Sequence, residues 1–160
     1  MTSYFLKLDG ITGESVNARH QDEIEVDSFT FGESNTSTLG SGSGGSGVGK
    51  VVFETFDLVA RASVASPALF LACAQGRRIR TARLVAARPG KNPFEFLTWT
   101  LDDVLLASYH ESGSFDGVLD RFSLAFARVQ ISYTRQKTDG STAAPVTATW
   151  DAHSGSGSGT

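Results

Sequence analysis

The chain has 160 residues, 40% of them hydrophobic and 19% charged, with a formal net charge of −3 and a sequence pI near 5.5. That length suits one domain able to bury about 70% of the surface of its extended chain, and the acidic balance argues against a dedicated nucleic-acid binder. Cys73 is the only cysteine, which excludes an intrachain disulfide and a multi-cysteine zinc site. No apolar run approaches the roughly 20 residues of a membrane-spanning helix, and the opening MTSYFLKLDG lacks the basic-then-apolar layout of a secretory signal.

Taken in chain order, most segments carry the period-two pattern of strands. Ser3 to Leu8 sets Tyr4, Leu6 and Leu8 on one face, with Phe5 and Lys7 on the other. Glu23 to Phe31 begins with Ile24 and Val26 alternating with Glu23, Glu25 and Asp27, then shows Phe29 and Phe31 at the opposite parity. A strand reverses faces only through an extra residue or a bend, so a bulge is predicted near Asp27-Ser28.

The segment that follows, TLGSGSGGSGVGK from Thr38 to Lys50, contains Gly44, Gly49 and Lys50 at the spacing of a nucleotide-binding P-loop. Two features oppose that reading. Val51 stands where the motif needs a hydroxyl for Mg²⁺, and the following VVFETFDLVAR is β-branched and aromatic instead of opening a helix. The segment is also longer than the two to five residues of most hairpin loops. It reads as a loop that meets a partner, with Leu39 and Val48 as apolar anchors and Lys50 as a charge at the start of a strand over Val51 to Val59.

Ser66 to Gly76, SPALFLACAQG, is the strong helix signal. Ser66 suits the N-cap, Pro67 the first helical position and Gly76 the left-handed stop. Leu69, Phe70, Cys73 and Ala74 share one side, which is expected to pack on a sheet. Strands are predicted over Arg80 to Arg88, Phe94 to Leu101, Val104 to His110, Arg121 to Arg135 and Pro145 to Asp151, with a turn cluster at Pro89 to Pro93. The long strand changes parity between Phe126 and Val129, which predicts a second bulge. The final SGSGSGT is low in complexity, so residues 154–160 are expected to form a disordered tail behind a single domain over residues 1–153. About eight strands and one helix make the chain all-β, as a barrel or a sandwich. The parity changes favour a barrel, because bulges let strands turn corners.

Candidate chemistry is sparse. Cys73 lies mid-helix on the apolar side, where a free cysteine acts as a small hydrophobe. His20, His110 and His153 lack ligand spacing, and no G-x-S-x-G elbow occurs. Asp102-Asp103 reads as a turn or strand end. The run RRIRTARLVAAR places Arg80 and Arg88 at one parity and Arg83 at the other, without interleaved stacking aromatics. Its better reading is a solvated face or a contact with acidic strands such as Glu23-Glu25-Asp27. No catalytic residue, cofactor or metal is called for.

Several segments in order resemble the haemolysin-coregulated protein (Hcp) family of bacterial type VI secretion. They are YFLKLDGITGES, EIEVDSFTFG, the loop ending VGKVVF, SPALFLACAQGR, RTARLVAARPG, FEFLTWTLDDVLLASY and DRFSLAFARVQISYTRQKTDGS. The Gly-Ser content of Ser41 to Gly47 and the tail after His153 depart from the pattern in detail. The resemblance implies a two-sheet β-barrel with a flanking helix, similar to phage tail tubes, that forms six-membered rings. The rings stack into a hollow tube, assembled in the bacterial cytoplasm and expelled through the apparatus without a signal peptide. The implied partners are other copies of the chain, sheath and spike proteins, and small effectors carried in the lumen, with no nucleic acid and no membrane insertion. Candidate subunit-interface residues are Leu39, Gly44, Gly45, Val48, Gly49 and Lys50 of the loop, Glu23 and Glu25, and Arg80 and Arg83. Two other readings stay open: the tube of a phage-like or extracellular contractile particle, and a stand-alone ligand-binding barrel, monomeric with an internal apolar pocket.

Overall fold

A computed structural model describes residues 1–36 and 50–160 of the chain. Ten strands and one helix follow in the order β1 (Ser3–Leu8), β2 (Ile24–Thr30), β3 (Glu33–Asn35), β4 (Val51–Phe53), β5 (Phe56–Arg61), α1 (Ala65–Gln75), β6 (Arg78–Arg88), β7 (Phe94–Ser114), β8 (Gly117–Tyr133), β9 (Val146–Asp151) and β10 (Ser156–Gly159). The strands β8-β5-β2-β1-β6-β7 pair in that order, and β7 pairs back onto β8, which closes a barrel. β9 and β10 continue the sheet outward from β8, while β3 and β4 form a separate two-stranded arm. The barrel interior is filled by the inward residues of every strand, among them Leu6, Ile24, Leu58, Leu84, Val104 and Phe122.

The first predicted parity change is a bulge: the β2–β5 register shifts between Val26 and Ser28. The second has another cause. The β7–β8 register runs through Asp102↔Arg128 and Val104↔Phe126 without a shift. Both strands reverse faces together there, because Asp103 takes a left-handed φ of +54°. Leu101 and Val129 face inward before this row, and Val104 and Leu124 after it. β8 exchanges its other neighbour at the same place, pairing with β5 through Leu119–Leu124 and with β9 through Arg128–Tyr133. The Ala127 carbonyl accepts the Ala152 N–H at 2.8 Å where β9 ends. β7 therefore runs unbroken through Asp102-Asp103, and the turn expected there is a corner inside one long strand.

Other expectations are corrected. Val51 to Val59 is not one strand: β4 belongs to the arm and β5 to the barrel, with a break at Glu54-Thr55 where the Glu54 N–H donates to Gly32 O at 2.9 Å. Residues 154–160 carry β10, antiparallel to β9, in place of a disordered tail. The connecting turn is held by Asp151, whose carboxylate accepts the N–H groups of His153 at 2.8 Å and Ser154 at 3.1 Å. These bonds hold its carboxyl below the usual range, that of Ser154 weighing most. A side chain at position 157 would collide with Thr149 O and come within 2.6 Å of the Trp150 ring, so glycine lets β10 lie flat there.

The helix keeps its predicted end and changes its predicted start and face. Gly76, at φ +59°, donates to Cys73 O at 3.2 Å and Arg77 donates to Ala72 O at 3.0 Å, a Schellman closure. At the start, Ser66 is not the cap. The Ser63 hydroxyl accepts the Ala65 N–H at 3.1 Å, and Ser66 Oγ reaches back to the Ser63 N–H at 2.9 Å. Ser66 also donates to the buried Asp120 of β8. That bond fixes the rotation of the helix, so Ala65, Leu69 and Ala72 face the sheet. Phe70 points outward at 59% exposure and touches the Tyr109 ring edge-on, against the predicted buried position.

Candidate functional site

The candidate site is a set of assembly surfaces, and its residues separate into three places. Leu39, Gly44, Gly45, Val48 and Gly49 lie outside the described residues. Lys50 is exposed at the outer end of the arm, where its N–H donates to Thr36 Oγ1 at 3.1 Å and its carbonyl accepts the Thr36 N–H at 3.2 Å. Strand β4 follows it at once, so no helix N-terminus is available to a phosphate there. The arm is rooted by aromatic packing: Phe31 lies 5.2 Å from Phe56, 5.2 Å from Trp99 and 5.8 Å from Phe126, and Phe53 lies 5.6 Å from Phe126.

Between the arm and strands β7, β8 and β9 lies a cleft of about 550 Å³, walled by Phe31, Phe53, Trp99, Val129, Ile131 and Trp150. The indole N–H groups of Trp99 and Trp150 are shielded from solvent and have no hydrogen-bond partner among the described residues. Leaving such a donor unsatisfied costs roughly 1–3 kcal/mol.

The second place is the outer face of β2, β1 and β6. Glu23 does not project as a free contact. His20, only 3% exposed, sets Nδ1 at 2.8 Å from Glu23 Oε2 and Nε2 at 3.1 Å from Glu95 Oε1, and its ring stacks on Phe5 at 4.4 Å. This clamp pins the segment between β1 and β2 over Phe5, the β1 side chain that faces away from the barrel core. Glu25 stays exposed on β2. The third place is the basic strand β6. Arg80 pairs with Asp9 at 3.3 Å, whereas Arg83 has no ion pair among the described residues and stands directly opposite Lys7. Arg80 and Arg83 were expected on opposite faces; both are exposed, because the burial pattern of β6 reverses beside the same corner, with Ile79 inward before it and Ala82 and Leu84 after it.

Sequence reading missed two buried polar groups that carry local order. One is the His20 clamp, whose partner Glu95 is 75 positions away. The other is Asp120, which takes hydrogen bonds from Ser66 and from the Tyr109 hydroxyl at 2.9 Å. Burial, then the bond to Asp120, pushes the Tyr109 phenol well above its ordinary range. Asp102 and Asp103 are occupied by arginine: Arg78 Nη1 lies 2.7 Å from Asp103 Oδ2, and Arg128 Nε lies 4.0 Å from Asp102. Cys73 is half-buried against the core. Among the described residues no cluster of His, Cys, Asp or Glu is arranged to hold a metal ion, and no helix is long and apolar enough to cross a membrane.

Comparison with known proteins places this architecture. The model of the family described as "Type VI secretion system effector, Hcp" matches residues 5–133. The protein hcp1 of Pseudomonas aeruginosa is 33% identical over 151 residues, spanning 92% of this chain and 93% of its own. A solved type six secretion system protein superposes with a TM-score of 0.91 at 25% identity, covering 99% of this chain and 100% of that one. Hcp1 from Salmonella typhimurium superposes with a TM-score of 0.80 at 34% identity, covering 98% and 99%.

Proposed function

The chain belongs to the Hcp family of type VI secretion proteins, and from that premise we propose that it closes into six-membered rings that stack as the hollow inner tube of the apparatus. The family supports the coarser statement, a secreted structural tube component, and we read the chain as structural and without catalytic activity. The finer reading is ours: rings assembled in the cytoplasm, a tube driven out by a sheath behind a spike, export without a signal peptide, and small effectors held in the lumen.

The observation that carries it is the 33% identity running through 92% of the chain, so the match includes the parts that project from the barrel as well as the barrel. Those projecting parts suit a ring. A closed barrel has no free edges, yet β4 on its outer side and the outer edge of β10 have no further strand beside them among the described residues. A neighbouring copy in a closed ring can cover them. Sedimentation velocity at several concentrations, with micrographs of the same samples, tests the proposal. Rings and a species near six chains are expected; a monomer at every concentration, with no rings in the images, overturns it.

A further inference from the structure

We propose that the segment between β1 and β2 is a proton-locked cover, closed over an apolar patch on the outside of the barrel while both ring nitrogens of His20 carry hydrogen, and released when His20 loses one. This goes beyond the tube reading and does not rest on it. The cover is a loop with its own root. The Gly13 N–H donates to Asp22 O at 2.7 Å, the Asp22 N–H to Ser15 O at 2.9 Å and the Ser15 N–H to Glu23 O at 3.0 Å. Phe5 lies under the His20 ring, and Val85 stands directly opposite Phe5 on the same face of the β1–β6 pair. The two are 5% and 0% exposed, although neither belongs to the barrel core.

The lock follows from donors and acceptors. An ionised carboxylate only accepts hydrogen bonds, and a neutral imidazole has one donor and one acceptor. His20 meets a carboxylate oxygen at each ring nitrogen, Glu23 Oε2 at 2.8 Å and Glu95 Oε1 at 3.1 Å. Both contacts are hydrogen bonds only when both nitrogens carry hydrogen, so the closed loop holds the imidazolium. Removing one proton turns a ring lone pair toward a carboxylate, and burial makes that mismatch costly. The charged groups set on the ring are Glu23 of its own loop and Glu95 of β7, with Arg19 3.9 Å from Glu95. Lys7 and Arg83 stand two positions along β1 and β6 on the same face and form no ion pair among the described residues. Once the Glu95 contact fails, the exposed bond from Arg19 Nη1 to Pro93 O at 3.4 Å is a weak hold on this end of the loop. The closed loop keeps one proton more than the open one, so opening is favoured as pH rises past the ordinary histidine value of about 6.5. On the acid side the clamp weakens only near the ordinary glutamate value of about 4.3.

Two measurements on the full ¹⁵N-labelled chain test the lock. Imidazole correlation spectra at a pH of about 6 should show hydrogen on both ring nitrogens of His20. Amide exchange at Gly13, Ser15 and Asp22, divided by the intrinsic base-catalysed rate and compared with β5, should speed up at least about tenfold between a pH of about 6 and about 9. Glu95→Gln separates the lock from ordinary packing. A glutamine amide can donate to Nε2, so neutral His20 then satisfies both ends and the loop should stay protected at alkaline pH. Should that variant fail to fold, Glu23→Gln makes the same exchange at Nδ1. A ring nitrogen without hydrogen while the loop is protected overturns the charged lock. Protection that does not change with pH, or that falls equally in the variant and the unchanged chain, overturns the cover. Sedimentation across the same pH range keeps the readings apart: pH-dependent opening in a chain that stays monomeric throughout supports the cover and overturns the ring.

Discussion

Phe70 and Leu69 are neighbours in sequence with opposite fates: 59% and 1% exposed. Leu69→Ala should destabilise the chain by about 2–5 kcal/mol, the range for a buried leucine, whereas Phe70→Ala should cost less than about 1 kcal/mol as an exposed change. Denaturant melts of the two variants decide it, and equal costs would place the helix in a different rotation. The sequence could not choose the face, because SPALFLACA is apolar on every side and its periodicity picks no stripe. The choice is made by Ser66 and Asp120, 54 positions apart, and such a bond leaves no local pattern. Ser66→Ala should therefore cost about 1–3 kcal/mol through the stranded Asp120 carboxylate, not through a lost cap. Tyr109 reports on the same group. Its phenol is raised in the folded chain, so the native state keeps its proton to higher pH than the unfolded state does. The stabilisation is complete below the ordinary tyrosine value of about 10 and is lost as pH rises past it. Tyr109→Phe should flatten that alkaline decline in melts taken across the range; a decline identical to that of the unchanged chain would exclude Tyr109 as its source.

Whole elements were legible where the signal is a change of parity. Val26 followed by Phe29 and Phe31 announced the β2 bulge, and Phe126 followed by Val129 announced the β8 corner. What the second pattern could not reveal is that β7 turns with β8, since Asp103 at φ +54° supplies the reversal on the partner strand. The split of Val51 to Val59 was hidden because the run is β-branched and aromatic on both sides of the break, although the sheltered positions change parity from Val51 and Phe53 in β4 to Phe56 and Leu58 in β5. The tail was misjudged on composition alone. Its order comes from the Asp151 turn and from Gly157, whose missing Cβ lets β10 approach Thr149 and Trp150. Gly157→Val should detach β10 without opening the barrel. Faster amide exchange at residues 156–159 is expected, with the global stability moving by no more than about 0.5 kcal/mol. Unchanged protection of those amides would show that the strand tolerates a side chain there.

At the scale of the whole molecule, single-strand patterns named the all-β class, but closure is a property of pairing. β8 must meet both β5 and β7, and nothing in its own seventeen residues states which strands lie beside it. The interface candidates sharpen for the same reason. Glu23 is engaged by His20 and Arg80 by Asp9, so neither is a free contact. Glu25 and Arg83 are exposed without an ion pair among the described residues. Arg83 also faces Lys7 across the β1–β6 pair, and like charges directly opposite in a sheet repel. A carboxylate from a neighbouring copy would relieve that repulsion, and Glu25 is a candidate donor of it. An exposed ion pair yields only about 0.2–1 kcal/mol, but the proposed ring would repeat the contact at every boundary. Arg83→Glu alone and Glu25→Lys alone should each shift the sedimenting species toward smaller assemblies, and the double reversal should restore the ring. Added salt should weaken the unchanged ring, since exposed charges are screened over about 8 Å at 0.15 M ionic strength. Thermal melts of all four chains should coincide, which separates lost assembly from lost folding. A double variant no better assembled than the worse single one would mean that Glu25 and Arg83 do not meet.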